Sequence, residues 1–245
     1  MERRVAPALY AHRGYHDKPA IPENSLPAFR RAIERKWGAE LDVHILKDGT
    51  LAVFHDSELE RCTGEKGILE DLDFESMRRL HLEGTQEPIP TFDEVLDLFE
   101  HSGSPLIIEL KTYRHNHKAL TEAVCRRLDR YTGTFCLESF DPFAVLELKK
   151  LRPAFIRGQL ARNFRADPWG MGKLLAAHMT DLRFNCLTKP DFVAYQFADR
   201  DVPALQKALK KGMQEVNWTI RCKEDLEAVL RNGALAIFEK FDPDE

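Results

Sequence analysis

The chain has 245 residues, 43% of them hydrophobic and 31% charged, and a formal net charge of -4. This is the balance of a soluble globular protein, which excludes a disordered or collagen-like chain, and its slight acidity argues against a nucleic-acid partner, which selects a basic face. Any anionic ligand would have to be held by local cations or by a metal. Five scattered cysteines (Cys62, Cys125, Cys136, Cys186 and Cys222) form no C-x-x-C pair. They read as free thiols, buried or partly buried, in a reducing compartment. The apolar run Ala8-Leu9-Tyr10-Ala11 is too short for a leader or a membrane helix, and His12-Arg13 ends it. No later stretch approaches about 18 apolar residues. The expected location is the cytosol.

Short apolar runs alternate with helix-like segments along the chain. Strands are expected at Ala8 to His12, Ala39 to Leu46, Leu106 to Lys111, Thr134 to Glu138, Phe155 to Leu160, Phe192 to Gln196, Glu215 to Ile220 and Leu235 to Glu239. Between them, Asn24 or Ser25 is placed to cap a helix carrying Leu26, Phe29 and Ile33 that stops at Gly38. Thr91-Phe92-Asp93-Glu94 reads as a capping box. Asp141-Pro142 sets a cap and a first-turn proline. Val202, Leu205 and Leu209 share a face before Gly212, and Leu226, Val229 and Leu230 precede Gly233. Eight strand–helix alternations predict a parallel sheet closed into a barrel, and the length matches the ~250 residues typical of a TIM (β/α)8 barrel. An open doubly wound sheet is the alternative, but no G-x-G-x-x-G follows the first strand. One segment breaks the rhythm. Lys47-Asp48-Gly49-Thr50 is a hairpin signal leading into Leu51 to Phe54 and His55-Asp56, and from Ser57 to Pro90 the chain is polar, with a helix-like piece around Phe74 to Leu82. This reads as an insertion on a single barrel domain.

In such a barrel the informative polar residues lie at the C-terminal ends of strands. Glu40 and Asp42 are two apart on one strand, so their carboxylates share a face; Glu109 and Lys111 repeat the arrangement. Three carboxylates in a barrel repel one another, and two remedies exist: salt bridges to Arg13 and Lys111, or a shared divalent cation. Oxygen-only ligands suit Mg²⁺, Ca²⁺ or Mn²⁺ better than zinc. Spacing alone favours neither remedy. His12 and His55 each end an apolar run, and two imidazoles facing a phosphodiester can divide base and acid work. Taken singly, each reads as well as a hydrogen-bonded core histidine. His44 shares the Glu40–Asp42 face and is expected to fill the barrel. His115-Asn116-His117 imitates an H-x-H metal pair but reads as a solvated loop beside Arg114 and Lys118. Trp218, on a late strand, fits an apolar wall of the mouth or plain core equally.

The ordered set Ala11-His12-Arg13-Gly14, Pro22-Glu23-Asn24-Ser25, Glu40-Leu41-Asp42-Val43, Lys47-Asp48-Gly49, His55-Asp56 and Glu109-Leu110-Lys111 resembles the glycerophosphodiester phosphodiesterases. Weaker echoes are Ser139-Phe140-Asp141 and Trp218-Thr219. The resemblance implies a TIM barrel over 1–245 with a small insertion at about 57–90, after the His55 strand. It implies His12 and His55 as the acid–base pair, Glu40, Asp42 and Glu109 as ligands of one divalent cation, and Arg13 and Lys111 as phosphate holders, with Trp218 beside the substrate. It further implies attack on phosphorus by the substrate's own glycerol hydroxyl through a cyclic phosphate. Ser25 stands where threonine is commoner, and Phe238-Glu239-Lys240 stands where the family carries a Thr-Asp pair. The implied partner is a small glycerophosphodiester, with no nucleic acid and no integral membrane segment. Two other readings are a barrel phospholipase acting on lysophospholipids and a non-catalytic barrel binding a phosphorylated ligand.

Overall fold

The computed structural model describes residues 3–245; Met1 and Glu2, the start of the N-terminal stretch read above, lie outside it. Eight parallel strands close on themselves: β1 (Leu9–Ala11), β2 (Gly38–Ile45), β4 (Leu106–Leu110), β5 (Phe135–Ser139), β6 (Arg157–Ala161), β7 (Phe192–Gln196), β8 (Gln214–Ile220) and β9 (Leu235–Phe238). Closure is made by β1, which pairs with β2 on one side and β9 on the other. The remaining strand, β3 (Leu51–Val53), runs antiparallel against the far half of β2, outside the barrel.

Alternation along the strands divides the apolar residues into two layers. Tyr10, Ile107, Cys136, Leu160, Phe192, Val216 and Ile237 come from seven different strands yet form one cluster, which only the barrel interior can bring together. Their neighbours Leu41, Val43, Ile108 and Leu137 face outward and pack under the helices. Two glycines make room in the barrel. A Cβ at Gly38 would lie 2.7 Å from the Tyr10 ring, and one at Gly158 would lie 2.2 Å from the Phe192 ring. Gly38, expected to stop the first helix, therefore serves β2 instead.

The helices begin where their caps predict. Ser25 caps α1 (Leu26–Glu34) by accepting from the Ala28 amide. The helix buries Phe29 completely, so Phe29→Ala would cost ~3–5 kcal/mol. Thr91 and Glu94 satisfy each other's amides at the start of α4 (Phe92–Phe99). Asp141 accepts from the Phe143 amide at 2.8 Å to open α6 (Pro142–Leu151). Leu205 of α9 (Pro203–Leu209) packs on β6 and β7, and Leu226 and Val229 of α10 (Lys223–Arg231) pack on β8 and β9. Three helices had no clear cap signal in the sequence: α5 (His117–Leu128), α7 (Lys173–Thr180) and α8 (Asn185–Thr188). None of the three has a side-chain N-cap.

Between β3 and α4 the chain forms α2 (Glu60–Thr63), a 3₁₀ turn at Leu69–Asp71 and α3 (Phe74–Met77). Although polar in composition, it gathers Leu59, Cys62, Leu69, Met77, Leu82 and Ile89 into a small core with Leu46 and Phe54. No helix among the described residues is long and apolar enough to cross a membrane.

Candidate active site

The C-terminal ends of the strands open on a cavity of about 330 Å³ lined by His12, Arg13, Glu40, His55, Glu109 and Lys111 on one side. Phe140, Leu160, Trp169, Trp218 and Ile237 line the other. Of the eight residues expected to carry acid–base, metal or substrate roles (His12, Arg13, Glu40, Asp42, His55, Glu109, Lys111 and Trp218), all but Asp42 reach this wall. Asp42 lies against it, bonded to Arg13 and Lys111.

The turn after β1 is built for close approach. Arg13 and Gly14 both have left-handed backbones (φ 54° and 77°), and a Cβ at Gly14 would stand 2.9 Å from Ala28 of α1. For arginine this conformation is strained. Two hydrogen bonds hold it: the Arg13 amide donates to Glu40 Oε2 at 3.1 Å, and the Asn24 amide donates to the Arg13 carbonyl at 2.8 Å.

Parallel register sets Asp42 of β2 beside Glu109 of β4, and Glu109 beside Glu138 of β5. Glu40, Asp42 and Glu109 bring one oxygen each to within 4.8 Å of the others, all three residues being buried. Against these carboxylates stand two cations. Lys111 Nζ lies 3.1 Å from Glu109 and 3.4 Å from Asp42, and Arg13 Nε lies 3.5 Å from Asp42. That is too little positive charge. Burial, then the charges of Asp42 and Glu109, holds the Glu40 carboxyl well above its usual range. Burial pushes Glu109 up to about 7, with Asp42 adding and Lys111 opposing. Burial would raise Asp42 too, but His55, Lys111 and Arg13 outweigh it and keep Asp42 ionised. Three crowded hard oxygens, two of them reluctant to ionise, fit a divalent cation, whose charge would offset their repulsion.

Each of the two cavity imidazoles is backed by a carboxylate. His12 Nδ1 lies 2.7 Å from Glu239 Oε2, and its Nε2 faces Glu40 at 3.9 Å. His55 Nδ1 lies 2.5 Å from Asp56 Oδ1. Burial pushes His12 down to about 4, with Arg13 adding and Glu239 opposing. Burial also lowers His55, against Asp42. From Asp56 the polar chain continues through Arg61 to Glu23, which also accepts from Arg13 at 2.7 Å and pairs with Lys18. Asn24 donates to Asp42 at 2.9 Å. Glu23 and Asn24 thus brace the two flanks of Arg13 and Asp42.

The other histidines stand apart. His44 does not fill the barrel; it lies beside β3, bonded to Glu70 at 2.7 Å and to the His55 carbonyl at 3.2 Å. His117 is the first residue of α5, its ring 5.8 Å from Phe143, and neither it nor the exposed His115 lines the cavity. On the apolar side Trp218 donates to the Ala194 carbonyl and meets Phe140 edge-on at 5.6 Å; Trp169 meets Phe140 at 5.1 Å. Sequence reasoning missed Glu239, Asp56, Arg61, Glu138 and Trp169. Asp56 adjoins His55, and Glu239 sits at the unusual C-terminal strand, which were the available signals.

The family model of the glycerophosphoryl diester phosphodiesterases matches residues 12–240. A glycerophosphodiester phosphodiesterase of Caldanaerobacter subterraneus subsp. tengcongensis is 29% identical over 92% of this chain and 90% of its own. Human glycerophosphodiester phosphodiesterase 1 is 30% identical over 86% of this chain and 70% of its own. Among solved structures, an Oleispira antarctica phosphodiesterase in complex with the product sn-glycerol-3-phosphate superposes with a TM-score of 0.82 at 22% identity, over 97% and 94% of the two chains. With the match running from the first cavity histidine to the end of the last barrel strand, the chain belongs to the glycerophosphoryl diester phosphodiesterase family.

Proposed function

We propose that the protein hydrolyses glycerophosphodiesters to glycerol 3-phosphate and an alcohol, with His12 and His55 as its proton-transfer pair. The observation that carries this reading is that two carboxylate-backed imidazoles line one cavity together with a buried three-carboxylate cluster. Arg13 and Lys111 are the cations at hand for the phosphodiester. Glu40, Asp42 and Glu109 would hold one divalent cation, Mg²⁺ or Ca²⁺, with Mn²⁺ as a third candidate. Such an ion supplies charge to offset that gathering on the phosphoryl oxygens.

The reaction then runs in two displacements. His12 Nε2 removes the proton of the glycerol 2-hydroxyl as that oxygen bonds to phosphorus. His55 Nε2 gives a proton to the departing alcohol as its P–O bond breaks, leaving a cyclic phosphate. In the second step His55 takes a proton from water attacking phosphorus, and His12 returns its proton to the 2-oxygen as the ring opens. Nδ1 of each ring bonds to its carboxylate, which leaves Nε2 for this traffic. Trp218 and Phe140 give the glycerol carbons an apolar wall. The chain is read as one domain bearing an insertion at about 57–90. Five unpaired cysteines support the cytosol as its compartment.

A second reading, a lysophospholipid substrate, is favoured by one feature. Trp169 on the cavity wall is 51% exposed, and Leu174 and Leu175 just after it are exposed as well. One assay separates the two. Release of glycerol 3-phosphate from the choline, ethanolamine and glycerol diesters is measured with each metal, beside a lysophosphatidylcholine. Glycerol 3-phosphate release that is lost on chelation and in His12→Ala is the expected result. A chain-bearing substrate turned over in strong preference would replace the first reading with the second.

A further inference from the structure

Glu138 is unlike the other carboxylates of the mouth. Asp42 has Asn24, Arg13 and Lys111, and Glu109 has Lys111. The side chain of Glu138, a residue 1% exposed and lining the same cavity, has no hydrogen bond or ion pair among the described residues, and its Oε2 is sealed from solvent without a partner. Its neighbour in register on one side is Glu109, a repulsive one. On the other side stands Gly158, where any side chain would strike the Phe192 ring, so β6 supplies no donor at that level. The residues that continue the cavity wall beyond it, Phe140 and Leu160, have no side-chain donor. The sole polar hydrogen of the Trp218 side chain is spent on Ala194.

A buried acceptor without a donor is costly, and an apolar side chain of similar size would fill this place without that cost. The missing donor must therefore come with a ligand. Phosphate oxygens carry negative charge and offer no proton. The three-oxygen cluster of Glu40, Asp42 and Glu109 is complete without Glu138. What suits a lone acceptor at the edge of an apolar wall is a hydroxyl on a short carbon chain.

We propose that Glu138 is a specificity residue that accepts a hydrogen bond from a hydroxyl of the substrate's glycerol moiety, selecting a polyol phosphodiester over one with a bare alkyl group. This rests on the reading that the diester occupies this cavity. It extends that reading from the chemistry at phosphorus to the recognition of the alcohol.

The test is a cycle of variants and ligands on the metal-loaded protein. Inhibition constants are measured for glycerol 3-phosphate, the monophosphates of 1,2- and 1,3-propanediol, and n-propyl phosphate. The wild type should bind glycerol 3-phosphate about 10-fold or more tighter than n-propyl phosphate, the size of effect expected when a buried acceptor is otherwise left unpaired. Glu138→Ala should lose that preference while binding n-propyl phosphate as the wild type does. The weaker of the two propanediol phosphates identifies the hydroxyl. Glu138→Gln, which keeps a carbonyl acceptor and the side-chain volume, should keep the preference and guards against a folding defect in the alanine variant. Equal weakening of all four ligands by Glu138→Ala would overturn the proposal, because it places Glu138 in service of the cation or the phosphate. So would an unchanged preference. A wild type that hydrolyses no glycerophosphodiester strikes the functional reading itself; a working hydrolase that binds glycerol 3-phosphate and n-propyl phosphate alike strikes only this one.

Discussion

The His12 imidazole donates through Nδ1 to Glu239 at 2.7 Å, which leaves Nε2 as the ring's lone pair on the cavity side, 3.9 Å from Glu40. Glu239 is itself held by Arg221, whose Nε donates to its other oxygen at 2.8 Å. A carboxylate that can only accept selects one tautomer of its imidazole and stabilises the imidazolium once a proton arrives. Glu239→Gln loses the charge and can turn an amide N–H towards the ring. The expected outcome is a fall in kcat of about 10- to 100-fold with KM within a few-fold, since general-base catalysis is itself worth roughly 10²–10⁴-fold. Steady-state kinetics beside a thermal melt check it; a drop in KM-linked binding alone would place Glu239 with the substrate.

The acid limb of the pH–rate profile follows from the same ring. A base works only when neutral, so activity is lost as pH falls through its pKa. An ordinary histidine would put that loss near about 6.5. Burial, then Arg13, pushes His12 down to about 4, so kcat/KM should hold steady as pH falls below ~6.5. A bound cation beside Glu40 acts in the same direction. With the metal kept saturating at every pH, a limb at about 6.5 or higher in the free enzyme would show that a different group is the base.

The eight barrel strands were legible because their apolar runs are short and bounded, and several helices because Ser25, Thr91 and Asp141 mark their starts. The helices α5, α7 and α8 were not, because no side chain caps their starts and no glycine follows their ends, and tertiary packing carries them instead. The segment 57–90 reads as polar apart from a helix-like piece around Phe74 to Leu82, since Leu59, Leu69, Met77 and Leu82 follow no period, yet they meet in space. The cavity's polar half was readable from residues two apart on strands. Its supports were not, since Glu239 lies 227 residues from His12 and only closure of β9 on β1 joins them. Nor does any local pattern reveal that Glu138 lacks a partner.

Removal of metal should be visible in stability. Glu109, pushed up to about 7, holds a proton in the folded protein that the unfolded chain releases near about 4.5, so it makes the metal-free fold less stable as pH rises between those values. Glu23 and Asp56 act oppositely. Their carboxyls are held below the usual range against burial, Glu23 by Arg61, Arg13 and Lys18 and Asp56 by His55 and Arg61. The stability they add is present above their unfolded values and lost in acid. A divalent cation needs the ionised form of Glu109, so it should raise Tm more at pH 8 than at pH 6; at 100 times its Kd it stabilises the fold by ~2.7 kcal/mol. Asp42→Asn should abolish the response. Calorimetry with and without chelator checks both.

His55 and His117 give a contrast within one residue type. His55 lines the cavity with Asp56 behind it, whereas His117 opens α5 away from it. His55→Ala should lose roughly 10²–10⁴-fold in turnover with the fold intact, and His117→Ala should be close to wild type. Near-normal rates for His55→Ala would mean that the wrong pair had been chosen.

The route through a cyclic phosphate makes the strongest demand on the substrate. If the glycerol 2-hydroxyl is the nucleophile, it arrives already tethered to the phosphorus it attacks, and such intramolecular arrangements reach effective molarities of about 10⁵ M or more. Water recruited from solution has no such advantage. The two imidazoles fit this division, because one lone pair must take the hydroxyl proton while the other ring serves the leaving alcohol across the same cavity. A diester of 1,3-propanediol, in which the 2-hydroxyl is replaced by hydrogen, should therefore occupy the site as a competitive inhibitor and turn over very slowly. Its Ki reports binding and its kcat reports the missing nucleophile, so the two effects separate. A five-membered cyclic phosphate should also accumulate briefly from the natural substrate, visible as a distinct phosphorus resonance in a rapid quench. Hydrolysis of the deoxy diester at the normal rate would rule out the cyclic route. The nucleophile would then be a water activated in the cavity, and His12 would be the base for that water instead.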